Sequence, residues 1–109
     1  MSKYHNQKTL VDGIMFDSKK EANRYCELKI LLKKGKIFSL ECHPKFPLSV
    51  NECLIGTYIA DFSYTDYTSG GRGLYGFAVV EDVKGVKTAV YRLKKKLMKA
   101  IYGIDIYET

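Results

Sequence analysis

The chain holds 109 residues in 12.4 kDa, room for one small domain expected to span residues 1–109. With 46% hydrophobic and 13% aromatic residues it is too apolar to be disordered, yet no run approaches the ~18 apolar residues of a membrane span. The polar N-terminus, Met1 to Lys8, lacks the apolar core of a secretory signal, so a cytoplasmic location is expected.

Basic residues number 18 and acidic residues 12, giving +6 and a pI near 9.2. That surplus points to a polyanionic partner. Only Arg24, Arg72 and Arg92 are arginines; the other cations are lysines. Lysine is a point charge, whereas arginine reads a base edge with a planar fork, so backbone binding is favoured over sequence reading. Cys26, Cys42 and Cys53 are odd in number and contain no C-x-x-C, so neither a disulfide framework nor a zinc site is expected. The low histidine count argues against histidine-based hydrolytic chemistry.

Thr9 to Phe16 reads as a short hairpin, with Asp12-Gly13 as a turn that needs positive φ. A helix follows from Ser18 to Lys34. Ser18 caps it, and Glu21 three residues on stands at the capping-box position, a purely structural role for that glutamate. Ala22, Tyr25, Cys26, Leu28, Leu31 and Leu32 make its apolar face, and Gly35 ends it. Ile37–Leu40 and Phe46–Val50 are short or irregular strands around Pro44 and Pro47. Thr57–Tyr64 alternates as one strand, with Tyr58, Ala60, Phe62 and Tyr64 on one face and Asp61 on the other.

Thr65 to Gly73 is polar and glycine-rich, hence a loop between strands. Gly76–Lys84 is apolar on both faces through Phe77-Ala78-Val79-Val80 and is expected to be a central strand. A second helix runs from Thr88 to Tyr102, closed by Gly103, with Val90, Leu93, Leu97 and Ile101 as its seam. Arg92, Lys94, Lys95, Lys96 and Lys99 crowd its remaining surface; this is either a solvated face or a phosphate-tracking one. Ile104–Tyr107 reads as a last strand. The whole is an α/β fold with helices packed on one sheet.

The chemically informative segment is Glu81-Asp82-Val83-Lys84 at the end of the central strand. Alternation puts Asp82 and Lys84 on one face and Glu81 on the other. If the two long strands pair as a hairpin, Asp61 approaches Asp82. Two close carboxylates repel, and a hard divalent cation removes the conflict. Bound Mg2+ suits phosphodiester hydrolysis, and Lys84 would place positive charge where the transition state develops it.

Asp61, then Asp82-Val83-Lys84, with Glu21 on a preceding helix, resembles the PD-(D/E)xK nuclease superfamily. Gly13, Phe16-Asp17-Ser18-Lys19-Lys20-Glu21-Ala22, Ile59-Ala60-Asp61-Phe62, Glu81 to Gly85 and Thr88 are similar to small phage-encoded, Holliday-junction-resolvase-like members. The resemblance covers about Gly13 to Ile104. It implies a restriction-endonuclease-like fold, a mixed central sheet flanked by helices. It also implies an Mg2+- or Mn2+-dependent endodeoxyribonuclease without organic cofactor, acting on branched DNA such as four-way junctions.

Asp61 and Asp82 correspond to the metal-binding acids, Lys84 to the motif lysine and Glu21 to the first-helix glutamate. Ala60 stands where the superfamily's name has proline, and Glu81 competes with Asp82 as ligand. Lys19, Lys20, Arg24, Arg92, Lys95, Lys96 and Lys99 become DNA-contact candidates. A homodimer would match the twofold symmetry of a junction. The alternatives are another DNA nuclease of the superfamily (flap, linear duplex or recombination intermediate), and a non-catalytic DNA-binding or host-interaction module on the same fold.

Overall fold

The computed structural model describes residues 7–67, 76–83 and 87–109. Lys84, Gly85, Arg72, Tyr75 and the glycine-rich stretch from Ser69 to Gly73 lie outside them. The described chain is an α/β fold with two helices and mixed sheets.

Strands β1 (Thr9–Val11) and β2 (Ile14–Phe16) form the expected hairpin. Asp12 and Gly13 both adopt positive φ, +52° and +76°, the conformation such a tight turn requires. Helix α1 (Lys19–Lys33) starts at Ser18, whose hydroxyl accepts from the Glu21 N–H. Its buried stripe is Glu21, Ala22, Tyr25 and Leu28. Cys26, expected on that face, is exposed. The stripe follows positions 21, 25 and 28, which places Cys26 one step around the helix.

Strands β3 (Ile37–Cys42), β6 (Phe62–Asp66), β7 (Phe77–Asp82) and β8 (Tyr107–Glu108) form the main sheet in the order β3-β6-β7-β8. The first three are antiparallel neighbours; β8 lies parallel to β7 after the crossover through helix α2 (Ala89–Tyr102). The sheet is therefore mixed, and β7 is interior as its apolar run predicts. The last strand falls at Tyr107–Glu108, not at Ile104–Tyr107; Ile106 is buried instead beside Met98 and Val80.

Between β3 and β6 the chain inserts a second hairpin, β4 (Lys45–Val50) and β5 (Cys53–Ile59), turning at Asn51 and Glu52 with positive φ. The expected continuous strand Thr57–Tyr64 is thus two strands. It breaks at Ala60–Asp61, where the chain leaves β4 and joins β3 and β7. The break has a matching corner opposite, at His43–Pro44. The His43 N–H donates to the Asp61 carbonyl at 2.9 Å, and the Ala60 N–H donates to the Pro44 carbonyl at 3.1 Å. His43 has φ +54°.

The break also divides the apolar residues. Phe62 and Tyr64 join Phe16, Tyr25, Leu28 and Ile37 under α1. Tyr58 and Ala60 join Leu48, Val80, Tyr91 and Met98 under α2. Residues expected on one face thus serve two cores on opposite sides of the sheet.

Helix α2 is capped by the Thr88 hydroxyl and ended by Gly103 at φ +70°, as read from sequence. Its seam is rotated from the expected one. Tyr91 and Met98 are buried, while Val90 and Leu93 are exposed. Tyr91 accounts for the rotation: its ring packs near Tyr58 and its hydroxyl donates to Glu108 at 2.6 Å. An aromatic with a satisfied hydroxyl buries more surface than a valine. No described helix is long and apolar enough to cross a membrane.

Candidate functional site

The polar centre of the molecule lies where α1, the His43 corner, the Asp61 break and the end of β7 meet. Four side chains converge there: Glu21, His43, Asp61 and Asp82. Glu21 occupies the N-terminal end of the buried stripe of α1 and is 5% exposed. Its backbone N–H serves the Ser18 cap, while its carboxylate lies 3.0 Å from His43 Nε2. The capping position is real, but the side chain is directed into the cluster.

Asp61 sits at the strand break. Its Oδ2 accepts the Val83 N–H at 2.7 Å, and its carboxyl shares a hydrogen bond with Asp82. One ligand atom each from Glu21, His43 and Asp61 lies within 4.8 Å of the others. The hairpin pairing of β6 with β7 produces the approach: Phe62 opposes Glu81, which sets Asp61 beside the Asp82 end.

Asp82 is almost fully buried at the end of β7 and accepts the Tyr58 hydroxyl. Glu81, its neighbour, turns to the other face as the alternation predicts. There it is fully buried and bound by Arg24, through Nε at 2.5 Å and Nη2 at 3.0 Å, and by the Tyr64 hydroxyl at 2.7 Å. All of those contacts are on the α1 side. Of the two adjacent acids, Asp82 is the one joined to Asp61.

This crowding alters the carboxyls. Burial, the hydrogen bond with Asp82 and the charge of Asp82 push the Asp61 pKa up to about 8; the Val83 N–H opposes the rise. Burial raises Glu21 also, opposed by the hydrogen bond and charge of His43. Buried carboxyls that favour their protonated form in this way are chemically suited to a divalent cation, whose charge offsets the burial. The donors close enough to hold one ion are those of Glu21, His43 and Asp61, with Asp82 joined to them through Asp61; carboxylate oxygens suit a hard ion such as Mg2+ or Mn2+.

The candidate DNA contacts divide into two groups. Lys19, Lys20 and Arg24 line a cleft of about 710 Å3 that also reaches Val83, the residue after Asp82. Within it, Lys19 and Lys20 are exposed, whereas Arg24 is engaged by Glu81 and by Glu27 at 2.9 Å. Arg92, Lys95, Lys96 and Lys99 line a second cavity of about 390 Å3. Lys95 pairs with Glu108 at 3.2 Å, and Lys99 with Asp105 at 2.9 Å. The candidate catalytic Lys84 lies outside the described residues.

Sequence reading missed two members of the site. His43 is one of only two histidines, and the irregular spacing of the cysteines near it suits no zinc motif, so sequence alone assigns it no site role. Tyr58 reads from sequence only as one of the residues on one face of an alternating strand, yet its hydroxyl serves Asp82. No local signal marks His43: it reaches Glu21 through the bridge between the His43–Pro44 corner and the Ala60–Asp61 break. No curated protein and no solved structure matches the chain. A family model described as "Protein of unknown function (DUF1064)" matches residues 1–106, and the chain belongs to that family.

Proposed function

We infer that the protein is a metal-dependent DNA endonuclease that hydrolyses phosphodiester bonds, with branched DNA such as four-way junctions as its substrate. One observation carries the reading: Asp61, at the break before β6, shares a hydrogen bond with Asp82 at the end of the neighbouring β7, and Asp61 also lies beside Glu21 from the first helix. Three carboxyls gather from α1, the strand break and the end of β7, and packing alone does not require them there. Burying such groups together costs stability unless a cation joins them. The mixed sheet with a helix on each side, and the placing of Asp61 just before β6 beside the Asp82 end of its neighbour β7, support a restriction-endonuclease-like arrangement.

In this reading Glu21, Asp61 and Asp82 hold Mg2+ or Mn2+. The bound ion supplies polarisation of a phosphoryl oxygen and acidification of a water molecule. The Val83 N–H fixes the orientation of Asp61, and the Tyr58 hydroxyl fixes that of Asp82. Lys84, two residues beyond Asp82, brings the positive charge that offsets the developing phosphorane charge. Lys19 and Lys20 line the cleft that reaches Val83 and suit the phosphate backbone; Arg92 and Lys96 form a second basic surface, on α2 across the sheet. Two copies related by a twofold axis would present two such sites to the two strands of a junction.

The test is incubation of an end-labelled four-way junction and a matched linear duplex with Mg2+, Mn2+ or chelator. Metal-dependent nicking of the junction is expected. Cutting of both substrates keeps the nuclease and removes the junction preference. Metal-independent binding without any cutting would replace the reading with a DNA-binding module.

A further inference from the structure

We propose that His43 is itself a ligand of the metal ion, making the site a mixed nitrogen–oxygen centre that selects Mn2+ over Mg2+. The proposal rests on the metal-dependent reading above and goes beyond it by adding a ligand that the acid-acid-lysine motif does not contain.

The geometry supports this on three counts. His43 Nε2 stands 3.0 Å from Glu21 Oε1, and both atoms belong to the group of three that lies within 4.8 Å together with an Asp61 oxygen. Neighbouring donors around a six-coordinate ion with bonds of about 2.1 Å are themselves about 3 Å apart, so this spacing is that of two ligands on one metal. Second, the two atoms face each other directly: with the ring proton on Nε2 they make a hydrogen bond, and with it on Nδ1 both present lone pairs that one cation can accept. Third, the ring is fixed from behind. The His43 N–H is bound to the Asp61 carbonyl at 2.9 Å, and the ring packs against Phe16 with centroids 5.8 Å apart. Phe16 is fully buried. The same backbone link joins the His43 corner to the residue carrying the Asp61 carboxylate, so the two donors move as one unit.

The choice of metal follows from ligand chemistry. Mg2+ takes oxygen ligands and keeps several waters, whereas imidazole favours later first-row ions. A neutral nitrogen in place of a fourth carboxylate therefore shifts preference toward Mn2+. An imidazole that only oriented Glu21 by donating a hydrogen bond would give no such selectivity.

The experiment uses the full chain and measures metal binding in the absence of DNA. Mn2+ is titrated into the protein and followed by electron paramagnetic resonance, with Mg2+ as competitor. Electron spin echo modulation of bound Mn2+ reports a coordinated imidazole nitrogen directly. The variant is His43→Asn, because asparagine tolerates the left-handed backbone at this position and leaves the corner folded. Circular dichroism of His43→Asn, and a second variant His43→Gln, separate loss of a ligand from loss of fold.

Nitrogen modulation is expected in the wild type and not in either variant, with Mn2+ affinity falling by about tenfold or more and Mg2+ affinity little changed. Mn2+ bound without nitrogen modulation, or modulation that persists in folded His43→Asn, overturns the proposal while the metal-dependent reading stands. Failure of the wild type to bind either ion overturns both.

Discussion

The Tyr58 hydroxyl donates to Oδ2 of Asp82, joining the inserted β4–β5 hairpin to the acidic end of β7. Tyr58 is 3% exposed and Asp82 1% exposed, so no water replaces that donor if it is lost. The insertion thus supports the site from below. Removing the hydroxyl by Tyr58→Phe leaves a buried carboxylate short of a partner, at a cost of about 1–3 kcal/mol. The expected result is a lower urea midpoint at neutral pH together with weaker Mn2+ binding. An unchanged midpoint and unchanged binding would show that the hydrogen bond neither stabilises nor orients Asp82.

Arg24 is expected to act on stability before it acts on DNA. Its guanidinium holds the fully buried Glu81 with two hydrogen bonds, and its side chain is largely covered. Arg24→Ala strands that carboxylate and should destabilise the protein by about 3 kcal/mol or more. The double variant Arg24→Met with Glu81→Gln removes both charges and should recover most of the loss. Urea denaturation of the three proteins measures this directly; equal stability of Arg24→Ala and wild type would contradict it.

The acidic cluster makes stability without metal fall as pH rises. Asp61 has an ordinary value of 3.8 and is pushed up to about 8 in the fold. Between those values the folded state binds more protons than the unfolded one, so the stability slope with pH is negative for this group. Its favourable state is complete below about pH 3.8 and is lost as pH climbs toward 8. Glu21, also raised, acts in the same direction. In chelator at pH 8, Asp61→Asn should therefore melt higher than wild type, by about 4 °C or more for each ~1 kcal/mol relieved. The amide oxygen of the replacement can still accept the Val83 N–H. Mn2+ should raise the wild-type melting temperature more at pH 8 than at pH 5.5 and should leave Asp61→Asn nearly unmoved.

The basic surface of α2 separates into held and unheld cations. Lys95 and Lys99 are tied to Glu108 and Asp105, while no ion pair involving Arg92 or Lys96 occurs among the described residues. Arg92→Ala and Lys96→Ala should each weaken DNA binding across all sequences and reduce the salt slope by about 0.9 per lost phosphate contact on duplex. Binding isotherms at several salt concentrations give the slope. A slope unchanged in the double variant would identify this helix face as merely solvated.

Much of this architecture is legible in the residues themselves. Asp12-Gly13, Ser18, Gly35, Thr88 and Gly103 act locally, through φ preference or a single side-chain hydrogen bond, and the structure uses each as read. The approach of Asp61 to Asp82 follows from one further step, the pairing of two neighbouring strands. The break at Ala60–Asp61 was not legible. Tyr58, Ala60, Phe62 and Tyr64 keep to alternate positions straight through it, while the sheet partner changes from β4 to β3 and β7. His43 belongs to the same case, because only the long-range bridge between the two corners brings it to Glu21. The seam of α2 was misplaced by about one residue because periodicity counts Val90 and Leu93 as apolar but gives no weight to the Tyr91–Glu108 hydrogen bond.

The most direct test of the central claim is cleavage of a labelled four-way junction by wild type and Asp82→Asn, each with Mn2+, with Mg2+ and with chelator. Metal-dependent strand scission by the wild type, lost in a folded Asp82→Asn that still binds the junction, is the predicted result. Equal cutting by both proteins, or binding by both with no cutting under any metal condition, would contradict the assignment of this acidic cluster as a nuclease centre.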